Sequence, residues 1–600
     1  MIANRRSEIN HHRPWFSIKS GARPSHLQLV RADPEKIPLI AIRMDTTPAR
    51  DAQPLSRKFR AAWTAAVLAA TTAPYIANYL RTPAGQSYTW IIPPYPNDAY
   101  GYRAWAQQAY DGRWLFSLKF TALPNPANIF LPFFLIAGKL ARLTGLDIGL
   151  VFLLLKATGT ALFAAAFFDF LRVWRLNRDA AAAASAFAAC AAGAGVFMPW
   201  ISPGGVPHQW MPVDAWLVDA NTFWSLLWNP LFPFSLALIL LAVSRAELAT
   251  RDGDADAAWT CGAALALSAL LHPYSLAVTL PLIAAMCAAR GPGRKVRAWG
   301  PIAALALPTL AVVLYTVWRN PLLRVHNDIG TGPNVSMFAL LAGFGFLPLI
   351  AAAGAVAGGE KFLRRHWPLA AWIALSMGLS QSPLWLHDKY VFGSHLALCI
   401  LAAAALGPLL ARYAWSPSPA ARVALVLAAA LPLTNAVHLR EAVAEVDRNP
   451  DRDYRIGSGL SQALEFLREN TRREDVVFSD VSTSAKICAL TGDTVVWGHW
   501  AQSVDALDRQ QWISDALLQR TKVDRSMAFW NSGFDYLFLY GVTRDAFREP
   551  PNSDLLWGAE KIYSRDDAEI FRRPAERLFL NAGHQLSNSE SSSGSPISRR

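Results

Sequence analysis

Cysteine is scarce in this sequence, and its placement excludes a disulfide framework and a cysteine-containing zinc site. Only five cysteines occur in 600 residues, and all of them except Cys488 lie in or beside apolar runs. No set of cysteines and histidines has the spacing of a zinc site or of a disulfide framework. Residues 1–56 also lack the apolar core of a signal peptide, which favours a polar leader.

Charge is sparse as well, because charged residues make up 17% of the chain and apolar residues 53%. The net charge of +13 does not indicate a nucleic-acid partner, since most lysines and arginines lie in short loops between apolar runs. In such loops, positive charges indicate which side of the membrane is cytoplasmic. Several runs approach the ~20 residues needed to cross a bilayer. The sequence therefore predicts an α-helical polytopic membrane protein.

Positive charges beside the apolar runs set the predicted topology. The first span, Ala61–Leu80, follows three basic residues, which places the amino terminus in the cytoplasm. Ile148–Leu171 ends in three arginines and so returns to the cytoplasm, and the shorter run Phe130–Leu143 then does not cross. The first external loop covers residues 81–147, and the length criterion gives about eleven spans in all.

Composition divides the chain into four predicted segments. Strands predicted at Val476–Ser479, Thr494–Trp497 and Tyr536–Tyr540 alternate with helices, which is typical of an α/β domain with a parallel sheet. The serine-rich end of the chain has the composition of a disordered tail. The segments are a disordered cytoplasmic leader (1–56), a transmembrane domain (57–440), an extracytoplasmic α/β domain (441–584) and a disordered tail (585–600).

Asp98 is a candidate for chemistry because it follows the first span after a proline-rich, extended approach. From Ala99 to Tyr110 the pattern becomes helical, with Tyr102 and Trp105 on one face, and predicts an amphipathic helix in the membrane interface. An acid at that depth suits chemistry on a lipid-linked substrate. The alternative is that Asp98 is the N-cap of this helix, and spacing alone favours the cap.

Other ionisable groups lie in the predicted external loops and at the ends of spans. An ionisable group at membrane depth is costly to bury and usually has a function. Lys389, helped by Arg324 or His272, is predicted to bind a phosphate leaving group, while a carboxylate takes the proton of an incoming hydroxyl. The alternative for many such residues is a loop position facing water. The candidates are Asp219, His272, Arg324, His326, Lys389 and Tyr390, with Tyr100 and Trp105 as aromatic partners for the interface or a sugar.

The layout resembles the GT-C superfamily, whose members are polytopic glycosyltransferases using polyprenyl-phosphate sugars, such as protein O-mannosyltransferases and lipid A aminoarabinose transferases. The resemblance runs roughly from Ala61 to His395. It is most specific in the first loop, which opens with Asp98 and contains two short helices. It implies that Asp98 is the catalytic base, Asp219 a possible second acid, and Lys389-Tyr390 the pair facing the lipid phosphate.

Two positions depart from the family pattern. Asn97-Asp98 stands where an Asp-Glu pair is frequent, and His272-Pro273-Tyr274 stands where some relatives have a Lys-Gly-Pro hinge. The acceptor class and the need for a divalent cation therefore stay open, and no other cofactor is implied. Trp497-Gly498-His499-Trp500 resembles a segment in carboxyl-terminal domains of bacterial members, without implying an activity.

The resulting hypothesis is an inverting glycosyltransferase of the bacterial inner membrane, with a cytoplasmic amino terminus and an extracytoplasmic carboxyl-terminal domain. Its partners would be membrane lipid, a polyprenyl-phosphate-linked sugar donor and a glycan, lipid or protein acceptor. One alternative is a transporter or flippase of a lipid-linked sugar, which predicts paired polar residues within spans and an internal repeat that the sequence does not clearly contain. Another is a non-catalytic scaffold, for which Asp98, Asp219 and Lys389 need not converge.

Overall fold

A set of apolar helices makes up much of the described structure. The computed structural model describes residues 55–198, 207–289, 292–329, 334–384, 386–412, 418, 425–426, 428–449, 453–472 and 474–574. The predicted tail and all but the last two residues of the predicted leader lie outside the described residues. The same holds for part of the last predicted span, Ala420–Val437.

Helices dominate the described part of the chain, and short strands are concentrated after residue 454. The helices are α1 (Arg57–Leu80), α2 (Pro96–Tyr110), α3 (Pro132–Thr144), α4 (Ile148–Val173), α5 (Arg178–Cys190), α6 (Thr222–Trp228), α7 (Phe232–Asp252), α8 (Ala255–Leu271), α9 (Leu276–Ala288), α10 (Pro292–Arg319), α11 (Pro321–Ile329), α12 (Met337–Gly343), α13 (Leu347–Ser380), α14 (Ser394–Arg412), α15 (Leu433–Arg448), α16 (Ser458–Asn470), α17 (Val481–Thr491), α18 (Ala506–Leu517), α19 (Lys522–Trp530) and α20 (Val542–Ala546). The strands are β1 (Gln86–Tyr88), β2 (Arg455–Gly457), β3 (Val476–Phe478), β4 (Thr494–Val495), β5 (Tyr536–Tyr540), β6 (Glu560–Arg565) and β7 (Ala568–Arg572).

Five helical segments within these described ranges are long and apolar enough to cross a membrane, and a bent pair raises the number to six if it forms one span. The bent pair is α12 with α13, which meet at 88°. The predicted number of about eleven spans stays a prediction. The qualifying segments are Ile148–Val173, Arg178–Phe197, Phe232–Asp252, Ala298–Arg319 and His387–Arg412.

A glycine divides the long helix α13 into two segments. Gly359 has φ +60° and ψ −150° inside a helical run of 34 residues. This backbone conformation is costly for any residue with a Cβ, so glycine is required at the kink. The helix therefore changes direction at Gly359.

Helix α2 buries polar residues that an amphipathic interfacial helix would expose to water. Its polar residues Arg103, Gln107 and Gln108 are buried. The Gln108 side chain both donates to the carbonyl and accepts from the amide of Ser117, at 3.1 Å each. Helices α3 and α17 pack against α2. The polar residues of α2 are therefore covered by other parts of the chain, and its position in the membrane interface stays a prediction.

The carboxyl-terminal segment forms a five-stranded sheet in the order β4-β3-β5-β7-β6. Strands β4, β3 and β5 are parallel and begin where the sequence predicts them. Strands β6 and β7 form an antiparallel hairpin, and β7 also pairs antiparallel with β5. The three predicted strands thus pair in parallel, and the hairpin adds two antiparallel strands that the sequence analysis did not predict.

Residues 81–147 and the carboxyl-terminal segment share backbone pairing and a hydrophobic core. Strand β1 pairs antiparallel with β2, and the amide of Val495 donates to the carbonyl of Lys119 at 2.9 Å. The buried side chains of Tyr100 and Phe120 belong to the same apolar cluster as Val477 from β3. The loop that carries Asp98 is thus held in place by residues that follow it by more than 300 positions.

A close approach between α2 and α3 supplies a test of this packing. A Cβ added to Gly138 of α3 would lie 2.1 Å from the carbonyl oxygen of Ala106. We therefore expect Gly138→Ala to lower the free energy of unfolding by ~1–3 kcal/mol, because the two helices must separate. Denaturant or thermal unfolding in detergent measures the change.

Gly378→Ala is the matched control, since nothing lies within 4 Å of a Cβ added there. In a helix that substitution is expected to be neutral or to stabilise by up to ~1 kcal/mol. Equal stability of the two variants would contradict the tight contact between α2 and α3.

Candidate functional site

Asp98 lies in the first turn of α2 and does not cap it. The helix begins at Pro96, the position that favours proline because its missing N–H needs no partner there. Tyr95 is the N-cap residue, and no side chain forms a cap hydrogen bond. The N-cap interpretation of Asp98 was therefore wrong, because Pro96 places the start of the helix one turn earlier than spacing suggested.

The carboxylate of Asp98 instead contacts two side chains of the carboxyl-terminal segment and accepts a hydrogen bond from one of them. Trp500 Nε1 donates to Asp98 Oδ1 at 2.6 Å, and His499 Nε2 lies 3.4 Å from the same oxygen. Burial raises the pKa of Asp98, but the His499 and Trp500 hydrogen bonds and the Lys389 charge outweigh it and hold the pKa below its usual range. Asp98 is thus an ionised carboxylate, with 27% of its side chain exposed.

A second group of charges is centred on Lys389, which lies in the short 3₁₀ turn His387–Val391 before α14. Its ammonium lies 3.1 Å from Asp219 Oδ2 and 3.6 Å from Asp388 Oδ2. His272 Nε2 lies 3.9 Å from the other oxygen of Asp219. Asp219 and His272 are buried, whereas 30% of the Lys389 side chain is exposed. The cation is therefore held by carboxylates and still reachable from outside the protein.

The charges of both groups act on Tyr95 and Tyr102. Burial raises the pKa of Tyr102, the charges of Asp98 and Asp219 raise it further, and the charge of Lys389 lowers it. Tyr95 is subject to burial and to the same three charges. The Lys389 charge also lowers the pKa of Asp98, so Asp98 and the Lys389 group lie within electrostatic reach of each other.

Other predicted site residues lie elsewhere. Tyr100 is buried and donates its hydroxyl to the carbonyl of Asp453 at 2.8 Å, and Trp105 is buried against Phe116. Their predicted substrate contacts are therefore wrong, since both side chains are used in packing. Tyr390 is buried beside Lys389 in the 3₁₀ turn.

The two predicted residues on α11 do not join the site. Arg324 is exposed, and no contact within the described residues connects it to Asp98, Asp219 or Lys389. The side chain of His326 lies outside the described residues. A role for Arg324 in holding the phosphate is thus not supported by its position.

Sequence reasoning missed the role of His499 and Trp500 beside Asp98. The segment Trp497–Trp500 was noted in the sequence. Asn97 and Gly498, which are hydrogen-bonded to each other, lie 401 positions apart, and no periodicity of the sequence predicts a contact over that separation. A second missed group is Lys156, buried in α4, whose ammonium donates to the carbonyls of Thr71 at 2.6 Å and Leu227 at 2.9 Å. Lys156 also lies 3.8 Å from the ring centroid of Tyr75.

The residues that could hold a divalent cation do not form a suitable set. Across the described ranges, no group of three or more histidine, cysteine, aspartate or glutamate side chains lies close enough to bind a metal ion. The Lys389 ammonium already lies against Asp219, where a divalent ion would need the same oxygen. We derive no step through a metal.

Comparison with solved structures finds partial similarity at low sequence identity. No family model and no curated protein matches the chain. It is similar to the arabinofuranosyltransferase AftD from Mycobacteria, with a TM-score of 0.49 and 14% identity over 88% of this chain and 40% of that one. It is also similar to an oligosaccharyltransferase of Archaeoglobus fulgidus tethered with an acceptor peptide, with a TM-score of 0.44 and 14% identity over 87% of this chain and 75% of the other.

A third similar structure is AglB from Archaeoglobus fulgidus in complex with an inhibitory peptide and a dolichol-phosphate, with a TM-score of 0.43 and 14% identity, covering 86% of this chain and 75% of that one. The chain spans two fifths of the length of the mycobacterial enzyme. The proteins it is similar to are glycosyltransferases and oligosaccharyltransferases. At such low identity, the role of each residue has to be argued from the geometry of this chain.

The pair of Lys389 and Asp219 can be tested by a double-mutant cycle on stability. Lys389→Gln leaves a buried carboxylate without its cation. The destabilisations of the two single variants should therefore add up to more than the destabilisation of the double variant. We expect a coupling free energy of ~1–3 kcal/mol from thermal or denaturant unfolding of Lys389→Gln, Asp219→Asn and their combination.

The control cycle uses Glu360 and Arg364, an exposed pair one helical turn apart on α13. Its coupling should not exceed ~0.5 kcal/mol. Coupling of Lys389 with Asp219 no larger than this control would contradict the ion pair as a fixed feature of the site.

Proposed function

We propose that this protein is a membrane glycosyltransferase of the GT-C type, which moves a sugar from a polyprenyl-phosphate carrier to an extracytoplasmic acceptor with inversion. The observation that carries the proposal is a partly exposed carboxylate, Asp98, whose pKa is held low in part by the charge of a partly exposed ammonium, Lys389. A transfer from a phosphate ester requires a group that accepts a proton and a cation that receives the departing phosphate.

The proposed reaction is a single displacement. Asp98 takes the proton of an acceptor hydroxyl, and the acceptor oxygen forms a bond to the anomeric carbon of the donor. The bond from that carbon to the phosphate oxygen breaks, and the electron pair leaves with the polyprenyl phosphate. The Lys389 ammonium stabilises the negative charge that grows on the phosphate, while Asp219 keeps the ammonium in place. The proton on Asp98 then passes to water.

The low pKa of Asp98 is compatible with this role. A carboxylate that accepts N–H bonds is a weak base, so it would not remove a proton early in the reaction. Phosphate is a good leaving group, and the acceptor hydroxyl becomes more acidic as its bond to the anomeric carbon forms. Proton transfer late in the transition state is therefore sufficient.

The proposed orientation places this site outside the cytoplasm of a bacterial inner membrane. Basic residues near the start of α1 and the end of α4, among them Arg57, Arg60 and Arg172, line a cavity of about 890 Å³. These positions carry the arginines that mark the predicted cytoplasmic side. The proposed acceptor, a glycan, lipid or protein, would then reach Asp98 from the side of the carboxyl-terminal domain.

The alternatives have less support. A transporter would use paired ionisable groups within spans, whereas Lys156 in α4 is hydrogen-bonded to backbone carbonyls. A scaffold gives no reason for Asp98, Asp219 and Lys389 to act on the same tyrosine. Fold similarity does not decide among these classes.

Asp98→Asn tests the proposal. The amide cannot accept the proton, so release of farnesyl phosphate from farnesyl-phosphate-linked mannose or arabinofuranose should fall by ~10²–10⁴-fold in proteoliposomes. Asp447→Asn is the control, because Asp447 is partly exposed and forms ion pairs with Arg81 and Arg455 away from Asp98.

Full activity of Asp98→Asn would overturn the assignment of the base. Movement of the labelled donor across the bilayer without release of farnesyl phosphate would favour the transporter instead. Loss of activity in Asp447→Asn to the same degree would point to a general folding defect.

A further inference from the structure

The segment Trp497–Trp500 is fixed to the beginning of α2 by hydrogen bonds in both directions. Asn97 Nδ2 donates to the carbonyl of Gly498 at 2.6 Å, and the amide of Trp500 donates to Asn97 Oδ1 at 3.3 Å. A Cβ at Gly101 would lie 2.8 Å from His499 Cδ2, so the absence of a side chain at Gly101 permits this approach. The contact therefore depends on residues of both partners.

Both N–H groups from this segment meet one oxygen of Asp98. Trp500 Nε1 lies 2.6 Å from Oδ1 and His499 Nε2 lies 3.4 Å from it. Among the residues whose placement is described, no hydrogen bond to Oδ2 occurs. The arrangement fixes the rotation of the carboxylate and leaves Oδ2 as the oxygen that can take a proton.

The tautomer of His499 follows from its other ring nitrogen. The Nδ1 atom accepts from the amides of Ala501 at 3.1 Å and Gln502 at 3.2 Å, so it carries no proton. The ring proton is therefore on Nε2, the atom that faces Asp98. Because the ring is buried against Phe120, His499 is held as a donor toward the carboxylate.

A contact used only for docking would not need these groups. The bonds of Asn97 already hold the segment on α2, whereas Trp500 leaves 59% of its surface exposed while its indole N–H reaches the carboxylate. Burial of apolar area is thus not what determines the position of Trp500. Its hydrogen bond to Asp98 is the specific feature.

We propose that His499 and Trp500 are positioning residues, whose N–H groups hold Asp98 Oδ1 and turn Oδ2 toward the acceptor hydroxyl, so that the base works only when the carboxyl-terminal segment is docked. The inference rests on the proposed function of Asp98. It adds that the carboxyl-terminal segment takes part in proton transfer.

The test compares His499→Leu and Trp500→Phe, which remove the donors and keep much of the volume. His499→Gln is the conservative variant, because its amide can donate from a similar place. Trp497→Phe is the matched control, since Trp497 Nε1 donates to the carbonyl of Ser479 at 2.6 Å in the same segment, away from Asp98.

With farnesyl-phosphate-linked mannose or arabinofuranose as the probe, we expect kcat to fall by about tenfold in His499→Leu and in Trp500→Phe, with a smaller change in KM. The acid limb of the pH–rate profile should move to higher pH in both, because burial raises the pKa of Asp98 once its donors are lost. His499→Gln should restore most of the rate, and Trp497→Phe should leave the profile in place.

A second measurement needs no substrate. The difference in Tm between a protein and its Asp98→Asn form reports the stabilisation that the ionised carboxylate provides. A lowered pKa means that this stabilisation is present above the pKa of the unfolded chain and is lost as the pH falls through the folded value. In the His499→Leu and Trp500→Phe backgrounds the loss should occur at higher pH.

Unchanged pH profiles in both variants, or shifts equal to those of Trp497→Phe, would overturn the positioning role. Full activity of Asp98→Asn would instead overturn the proposed function, and the stability titration would still decide whether His499 and Trp500 control the carboxylate. A change in KM alone would also count against the inference.

Discussion

One half-buried carboxylate, Asp98, and one buried carboxylate, Asp219, must each be compensated for the water that it has lost. An uncompensated charge in such a place costs several kcal/mol, so a buried carboxylate needs N–H donors or a cation. Asp98 receives N–H groups from His499 and Trp500, whereas Asp219 receives the Lys389 ammonium. The two modes of compensation give the two acids different partners, N–H groups for Asp98 and a cation for Asp219.

This difference explains how one site can serve two tasks. A carboxylate paired directly with a lysine, as Asp219 is, serves to hold that lysine and is poorly placed to accept a proton. A carboxylate held by neutral donors on one oxygen keeps the other oxygen available. The helix bundle supplies the turns that carry Asp219 and Lys389, and the carboxyl-terminal segment supplies the donors for Asp98. Neither part alone contains the site.

Apolar patterning and turn residues were sufficient to predict elements whose conformation depends on their own sequence. Strands β3 and β5 and the short helix α3 were recognised from apolar patterning and flanking turn residues. The environment of α2 was not, because Arg103 pairs with Asp147 and is covered by structure that sequence periodicity does not reveal. The antiparallel hairpin of β6 and β7 was missed, although the residues on both sides of Asp566 alternate as in strands and Asp566 lies where a turn would join them.

The candidate site was predictable in part for the same reason. Asp98, Asp219 and Lys389 were found because ionisable residues beside apolar runs are unusual. Tyr100 and Trp105 were assigned to substrate because aromatic residues suit both sugars and cores, and only packing distinguishes the two. His499 and Lys156 were missed, since their partners are backbone groups or residues far away in sequence.

The most direct test of the account is an experimental structure of the protein with bound farnesyl phosphate in lipid nanodiscs. The account predicts that the phosphate contacts the Lys389 ammonium, with a terminal oxygen, the one that carries the sugar in the donor, facing the side of Asp98 Oδ2. A phosphate bound instead among Arg57, Arg60 and Arg172, with the Lys389 ammonium out of its reach, would contradict it.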